Sequence, residues 1–349
     1  MVNKKKLPLG IKGLTDAAKK HGIKFGIWIE PEMVNTKSEL FEKHPDWALS
    51  SPNRPLSQGR GGTQMVLDLT NPDVQDFVFS VFDNIVTENP EVAYIKWDAN
   101  ADIMNYGSHY LPADKQSQIY IDYQLGMRNV LKRLREKHPD VVVQACASGG
   151  GRFDPGILYY APQGWTSDDT DAIERLSIQE GTELIYPLST MGAHVSDCPN
   201  HTVGRVTPFE TRGHVALAGT FGYELDITKI PEEDRQQIPA QTAMYHKYND
   251  LIRRGDYYRI ASFLENGNYD CYMVASKDRT EALVTYVQVL SRPNFHSRRV
   301  RLKGLAPEKQ YRIEETGEVS GGDVLMQAGL LVAPLWGDYR SRLIHLTEV

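Results

Sequence analysis

Only three of the 349 residues are cysteine, Cys146, Cys198 and Cys271, and no two stand in a CxxC pair. That spacing excludes a disulfide framework, and a reducing, cytoplasmic setting is expected. No stretch approaches the roughly 18 consecutive apolar residues of a membrane-spanning helix, so no membrane partner is expected. The chain also lacks basic excess: 39 Lys and Arg stand against 45 Asp and Glu, a net charge of -6, which argues against nucleic acid as a partner. After Lys4, Lys5 and Lys6 the sequence runs into Pro8 and Gly10 and not into the apolar core of a signal peptide. There is no fixed-period repeat.

What is present is enough apolar material, 41% of the chain, for one large domain and a smaller one. Short β-branched runs at 25–29, 65–69, 93–97, 141–145, 164–167, 185–191 and 218–225 alternate with segments of helical period, the pattern of βα units around a parallel sheet. The clearest helix follows Asn71, a capping residue, and Pro72, suited to the first helical position. Val74, Phe77, Val78, Val81, Phe82, Ile85 and Val86 then mark one face before Asn89-Pro90 ends it. Further helices are predicted over 14–21, 113–137, 172–180, 208–218 and 231–254. After Asp256 short runs at 272–275, 282–289, 298–302, 310–314 and 343–346, separated by Gly, Pro and Asn, predict an antiparallel domain. The fold class is therefore α/β: a TIM-type (β/α)8 barrel over 1–256, lacking its first strand because seven runs leave one of eight unaccounted for, followed by a small antiparallel β-sandwich over 257–349. An open barrel edge invites partners, so a homo-oligomer is expected.

In such barrels chemistry sits where the strands end. The run 93–97 ends in Lys96-Trp97-Asp98-Ala99-Asn100, and the run 164–167 ends in Ser167-Asp168-Asp169 beside Trp165. Two strand-end carboxyl groups facing one another are what glycoside hydrolysis needs, one to attack or stabilise the anomeric carbon and one to protonate the leaving oxygen. Trp28, Trp97 and Trp165, all near strand ends, add faces on which sugar rings stack. Lys96 lies two residues before Asp98 on the same strand face, where its charge would depress the aspartate pKa and favour a nucleophile. Asp169 beside Asp168 would lift one pKa of that pair, and spacing alone leaves open which of the two donates. The stretch Cys146-Ala147-Ser148-Gly149-Gly150-Gly151-Arg152-Phe153-Asp154 lacks a phosphate-loop pattern, and its triple glycine reads as a turn letting backbone approach a ligand, with Cys146 as a small wall residue. His194, Asp197, Cys198 and His201 match no closed zinc pattern and read as a hydrogen-bonded loop; no metal is expected. Glu30 and Glu32, around Pro31, either bind sugar hydroxyls or hold their loop.

Taken in order, Phe25-Gly26-Ile27-Trp28-Ile29-Glu30-Pro31-Glu32-Met33-Val34, His44-Pro45-Asp46-Trp47, Val66-Leu67-Asp68-Leu69, Tyr94-Ile95-Lys96-Trp97-Asp98-Ala99-Asn100, Cys146 through Pro155, Trp165-Thr166-Ser167-Asp168-Asp169-Thr170-Asp171-Ala172, Met191-Gly192-Ala193-His194-Val195-Ser196 and Gly219-Thr220-Phe221-Gly222-Tyr223-Glu224-Leu225 resemble the α-galactosidases of glycoside hydrolase family thirty-six. The resemblance implies a retaining mechanism with Asp98 as nucleophile and Asp168 as general acid/base. It implies sugar contacts from Trp28, Lys96, Cys146, Gly149, Trp165 and Asp169, an α-galactoside oligosaccharide of melibiose or raffinose type as substrate, and no cofactor. Members carry a β-sandwich before the barrel and an aspartate pair on the first barrel strand, and the resemblance implies that this chain begins after both. Members often have an arginine in a Gly-Arg-Asn-Gln stretch; here Gly59-Arg60-Gly61-Gly62-Thr63-Gln64 departs from it, so that role is not assigned to Arg60. Two other readings stand beside this one: a catalytically silent fragment or sugar-binding remnant, and an α-N-acetylgalactosaminidase or transglycosylase of the same barrel type.

Overall fold

The computed structural model describes residues 2–56, 59–104, 106–294 and 296–349. They form two compact units, Met1–Trp165 and Thr166–Val349.

In the first unit the strands are β1 (Phe25–Ile29), β2 (Met33–Asn35), β3 (Gln64–Val66), β4 (Val92–Trp97), β5 (Val142–Ala145) and β6 (Gln163–Trp165). β1, β4, β5 and β6 lie side by side and parallel. One face of this sheet carries Ile95, Trp97, Val143 and Ala145 into the apolar core. The helix Pro72–Glu88 covers that core with Val74, Val78 and Phe82, and Asn71 caps it by accepting the Asp73 N–H at 2.9 Å. The helix Ile119–Lys137 adds Tyr123, Met127, Val130 and Leu134. It approaches so closely at Gly126 that a Cβ there would lie 1.9 Å from the Leu69 carbonyl oxygen.

The run 65–69, expected as a parallel barrel strand, is instead β3, paired antiparallel with β2 in a side ribbon. A β-branched run signals a strand but not its partner, and Met33-Val34-Asn35 is too short to show a period of two. The count that left a single barrel strand unaccounted for is revised accordingly: among the described residues four parallel strands lie in this unit and two in the next.

In the second unit β7 (Met191–Ser196) and β8 (Thr220–Glu224) are parallel. The run 185–191 becomes a 3-10 turn at Leu188–Thr190 after Pro187, with the strand beginning only at Met191 and running to Ser196. Helices Ala172–Glu183, Phe209–Ala216 and Ile238–Arg254 accompany them. The chain continues through β9 (Asp256–Ala261), β10 (Tyr269–Ala275), β11 (Glu281–Gln288), β12 (Arg298–Val300), β13 (Gln310–Ile313), β14 (Val319–Gly321), β15 (Leu330–Val332) and β16 (Arg340–Glu348). Six of these form an antiparallel sheet in the order β14-β13-β16-β11-β10-β9, and β12 pairs with β15. One face of the sheet carries Met273, Val284, Ile344 and Leu346. The other packs Val274, Leu283 and Leu343 against Tyr248, Leu251 and Ile252 of the helix Ile238–Arg254. Where a sandwich is expected, the β layer facing Met273, Val284 and Ile344 is only the β12–β15 pair, which brings Val300, Leu330 and Val332 into the same core, and the helix Ile238–Arg254 covers the opposite face.

Beside β9 and β10 sits a buried acidic group. Burial pushes the Glu183 carboxyl up to about 8, reinforced by Asp270 and Glu180, and its Oε1 is sequestered without a hydrogen-bond partner among the described residues. Burial likewise pushes Asp270 up to about 7.

Two outcomes are expected. Gly126→Ala forces backbone against a methyl group and is expected to cost about 3 kcal/mol in chemical denaturation, against a negligible cost if the helix can shift. Between about pH 4, where unfolded carboxyls ionise, and pH 8, the folded chain holds protons at Glu183 and Asp270 that the unfolded chain has lost. Those two groups therefore stabilise the fold at low pH, and their contribution falls as pH rises through that window. Glu183→Gln, which cannot ionise, is expected to gain melting temperature relative to the parent on going from pH 5 to pH 8; a constant difference contradicts the assignment.

Candidate active site

Register builds the site in the first unit. Ile29 pairs with Trp97, Trp97 with Ala145, and Ala145 with Gly164. The residues one step beyond, Glu30, Asp98, Cys146 and Trp165, therefore stand in one row at the strand ends. The ladder extends into that row, since the Asp98 N–H donates to the Ile29 carbonyl at 2.9 Å and the Cys146 N–H to the Trp97 carbonyl at 2.8 Å. Two residues earlier, on the same sheet face, lie Trp28, Lys96, Gln144 and Gln163. The Gln144 amide donates to Gln163 Oε1 at 3.2 Å, and the Tyr94 hydroxyl donates to the same oxygen. This polar face opposes the apolar one that meets the helices.

Asp98 is only 6% exposed. Its Oδ2 accepts from the Trp28 indole Nε1 at 3.1 Å and from Asn100 Nδ2 at 2.7 Å, and its Oδ1 accepts the Ala99 N–H at 2.8 Å. Burial pushes the carboxyl up, but hydrogen bonds from Asn100, the Cys146 thiol, Trp28 and the Ala99 amide outweigh it and hold Asp98 below the usual carboxylate range. The expectation that Lys96 does this is revised: its ammonium lies over the Trp165 ring, 4.6 Å from the centroid, and hydrogen bonding carries the effect. The same contacts act oppositely on Cys146, whose thiol is pushed up to about 12 by burial and by Asp98. Cys146 is therefore a neutral donor and not a nucleophile.

Of the three tryptophans near strand ends, Trp28 is 47% exposed, whereas Trp97 and Trp165 are buried. Trp28 offers an open ring face beside the Asp98 carboxylate; Trp165 offers a wall that already carries Lys96. After Cys146 the chain turns sharply through Ser148 at φ 46° and Gly149 at φ 84°, closed by the Ala147 N–H donating to the Gly149 carbonyl at 2.9 Å. Ser148 donates to Asn100 Oδ1 at 3.2 Å, tying this turn to the Asp98 segment.

Glu30 and Glu32 both hold loops. Glu30 Oε1 accepts from the Asn100 backbone at 3.0 Å and from Asn100 Nδ2 at 2.7 Å. Its Oε2 accepts from Gln64 at 2.6 Å and lies 3.5 Å from Arg60. Glu32 is fully buried. Its Oε1 accepts from Trp97 Nε1 at 2.6 Å and Arg152 Nη1 at 2.7 Å, and its Oε2 accepts the Tyr123 hydroxyl at 2.6 Å. Arg152 in turn donates to the Cys146 carbonyl at 3.2 Å. Sequence reasoning missed Arg152 and Tyr123, whose partners lie 120 and 91 residues away, and Asn100, which stood in the Lys96–Asn100 segment without a role of its own.

In the second unit Asp168 is exposed and Asp169 half-buried just beyond the sixth strand. The Asp169 N–H donates to Ser167 Oγ and Asp169 Oδ1 accepts the Asp171 N–H, both at 3.0 Å. Asp171 caps the helix Ala172–Glu183 by accepting the Ile173 and Glu174 amides. Arg175, unremarked in the sequence, is buried and donates to the carbonyls of Gly192 at 2.7 Å and Ser167 at 3.3 Å, fixing the segment that carries Asp168. His194 Nδ1 lies 3.4 Å from Glu224, and Cys198 Sγ donates to the Thr207 carbonyl at 3.7 Å. Among the described residues no three His, Cys, Asp or Glu side chains are grouped to hold a metal.

Parallel strands ending in a desolvated yet ionised carboxylate beside an open indole face form an arrangement that can stack a sugar ring against a charged oxygen. Comparison with known proteins narrows this. The melibiase family model matches residues 1–255 and the C-terminal domain of glycosyl hydrolase family 36 matches residues 269–346. Alpha-galactosidase AgaA of Geobacillus stearothermophilus is 47% identical over 349 residues, covering 100% of this chain and 47% of that protein. Alpha-galactosidase Mel36A of Lactobacillus acidophilus is 40% identical over 348 residues, covering 100% of this chain and 47% of that protein. The crystal structure of an AgaA variant in complex with raffinose superposes with a TM-score of 0.96 at 46% identity, covering 100% of this chain and 48% of that one. A second AgaA variant, in complex with stachyose, gives the same values. The chain belongs to the melibiase family, glycoside hydrolase family 36, and spans about half the length of the curated relatives it matches.

Asn100→Ala removes a donor from Asp98 and leaves burial less opposed. The Asp98 carboxyl, followed by its 13Cγ shift, is expected to titrate at higher pH in the variant; an unchanged or lower titration contradicts the assigned network.

Proposed function

We propose that the chain is the catalytic part of a retaining α-galactosidase that removes terminal α-linked galactose from oligosaccharides of melibiose or raffinose type. The observation that carries this reading is Asp98: a carboxylate largely desolvated at a strand end, held ionised by four hydrogen bonds, with the open Trp28 face beside it. The names of the relatives and the raffinose and stachyose bound to AgaA variants support the sugar class.

In the proposed reaction the Asp98 carboxylate attacks the anomeric carbon while Asp168 gives its proton to the departing glycosidic oxygen. This leaves galactose covalently attached to Asp98. Asp168, now a carboxylate, takes a proton from water, whose oxygen attacks the same carbon and frees Asp98. Two inversions give net retention, and the sequence needs neither metal nor cofactor. Trp28 and Trp165 would bound the sugar, Lys96 and Asp169 would bind hydroxyls, and Cys146 with the turn at Gly149 would let backbone approach the ring. The reading assigns catalysis to 1–256 and an accessory β domain to 257–349. A cytoplasmic homo-oligomer goes with it, in keeping with three unpaired cysteines.

On an aryl α-galactoside, Asp98→Ala is expected to lower turnover by more than about 10^3-fold, with azide restoring it as the β-galactosyl azide. Asp168→Ala is expected to be rescued by azide as the α product. Wild-type activity in Asp98→Ala, or inversion by the parent chain, overturns the assignment. A folded chain without turnover selects the sugar-binding remnant, and faster turnover of the N-acetylgalactosaminide selects that specificity.

A further inference from the structure

The second unit contains a cleft of about 560 Å³ that the proposed reaction does not use, within the ordinary range for small-molecule sites. It is lined by Glu210 and His214 of the helix Phe209–Ala216, Met244 and Lys247 of the helix Ile238–Arg254, and Ser341 and Leu343 of β16. We propose that this cleft is a second ligand site taking a pyranose sugar, in which His214 Nε2 and the Glu210 carboxylate accept sugar hydroxyls and Lys247 donates to them.

The direction of the floor's hydrogen bonds fixes what it can bind. The Thr211 hydroxyl gives its one proton to the Tyr339 carbonyl at 2.8 Å. The Ser341 hydroxyl gives its own to Thr211 Oγ1 at 2.9 Å. The remaining contact, His214 Nδ1 to Ser341 Oγ at 2.8 Å, therefore needs the proton on Nδ1. That leaves Nε2 as a lone-pair acceptor, and it finds no partner among the described residues although His214 is only 9% exposed and lines the cleft. Burial pushes this imidazole down to about 4, so it stays neutral and accepting at neutral pH.

Glu210 lies one helical turn from His214 on the same face and has no partner among the described residues, so two acceptors stand in line. The Lys247 ammonium, over the Tyr248 ring at 4.8 Å, supplies a donor from the opposite helix. Met244 and Leu343 provide apolar wall. A ligand matching acceptors, a donor and an apolar wall within this volume carries several hydroxyls on a compact carbon frame, as a pyranose does. A simple ammonium would satisfy the acceptors but be repelled by Lys247.

Released galactose and an intact oligosaccharide share this chemistry, and the test separates them. In the full chain with 15N-labelled histidine, galactose is expected to move the His214 Nε2 signal upfield saturably, a local readout independent of any turnover. Raffinose moving the same signal at lower concentration assigns the cleft to oligosaccharide, and galactose acting alone or more tightly assigns it to the monosaccharide. Glu210→Ala, a change at an exposed position, is expected to weaken the response at least tenfold while turnover of an aryl α-galactoside changes less than twofold. His214→Phe should leave turnover equally unaffected. The proposal is overturned if neither sugar moves the signal, if Glu210→Ala responds like the parent, or if butylammonium moves it and the sugars do not.

Discussion

A carboxyl group that loses most of its water at a strand end stays charged only if donors replace that water. At Asp98 four do: an indole N–H from β1, an amide and a backbone N–H from the segment after β4, and a thiol from the end of β5. Hydrogen bonds to a charged acceptor contribute about 1.5 to 3 kcal/mol each, enough together to offset the upward push of burial. Each donor is in reach because the parallel strands are in register. The charge state of one side chain is thus a property of the whole sheet edge.

The donors are themselves held. Asn100 is fixed by Glu30 and Ser148, and Cys146 is backed through its carbonyl by Arg152. Arg152 is paired in turn with a fully buried Glu32 that also takes the Trp97 indole and the Tyr123 hydroxyl. Burial works against the Arg152 charge, and Glu32 more than compensates, so the guanidinium is held above its ordinary range. Such a pair is costly to break on one side and does little for stability as a whole; its use here is to fix geometry behind the site.

Much of this was legible in the sequence, for local reasons. Asn71 and Pro72 start a helix where the structure has one, and Lys96-Trp97-Asp98-Ala99-Asn100 already showed which face the carboxylate shares. The losses came from facts that are not local. The run 65–69 has strand composition but joins a ribbon, since pairing depends on a three-residue partner thirty positions away. Lys96 shares a face with Asp98, yet an aromatic ring draws its ammonium aside. Arg152 follows three glycines and its partner Glu32 lies 120 residues away on another loop, a pairing that no local pattern signals.

The most direct measurement of the central claim is covalent trapping. Incubated with a 2-deoxy-2-fluoro-galactosyl fluoride of α configuration and digested, the chain is expected to yield one labelled peptide carrying the sugar on Asp98. A label on any other carboxyl group, or none on a chain that hydrolyses α-galactosides, contradicts the account.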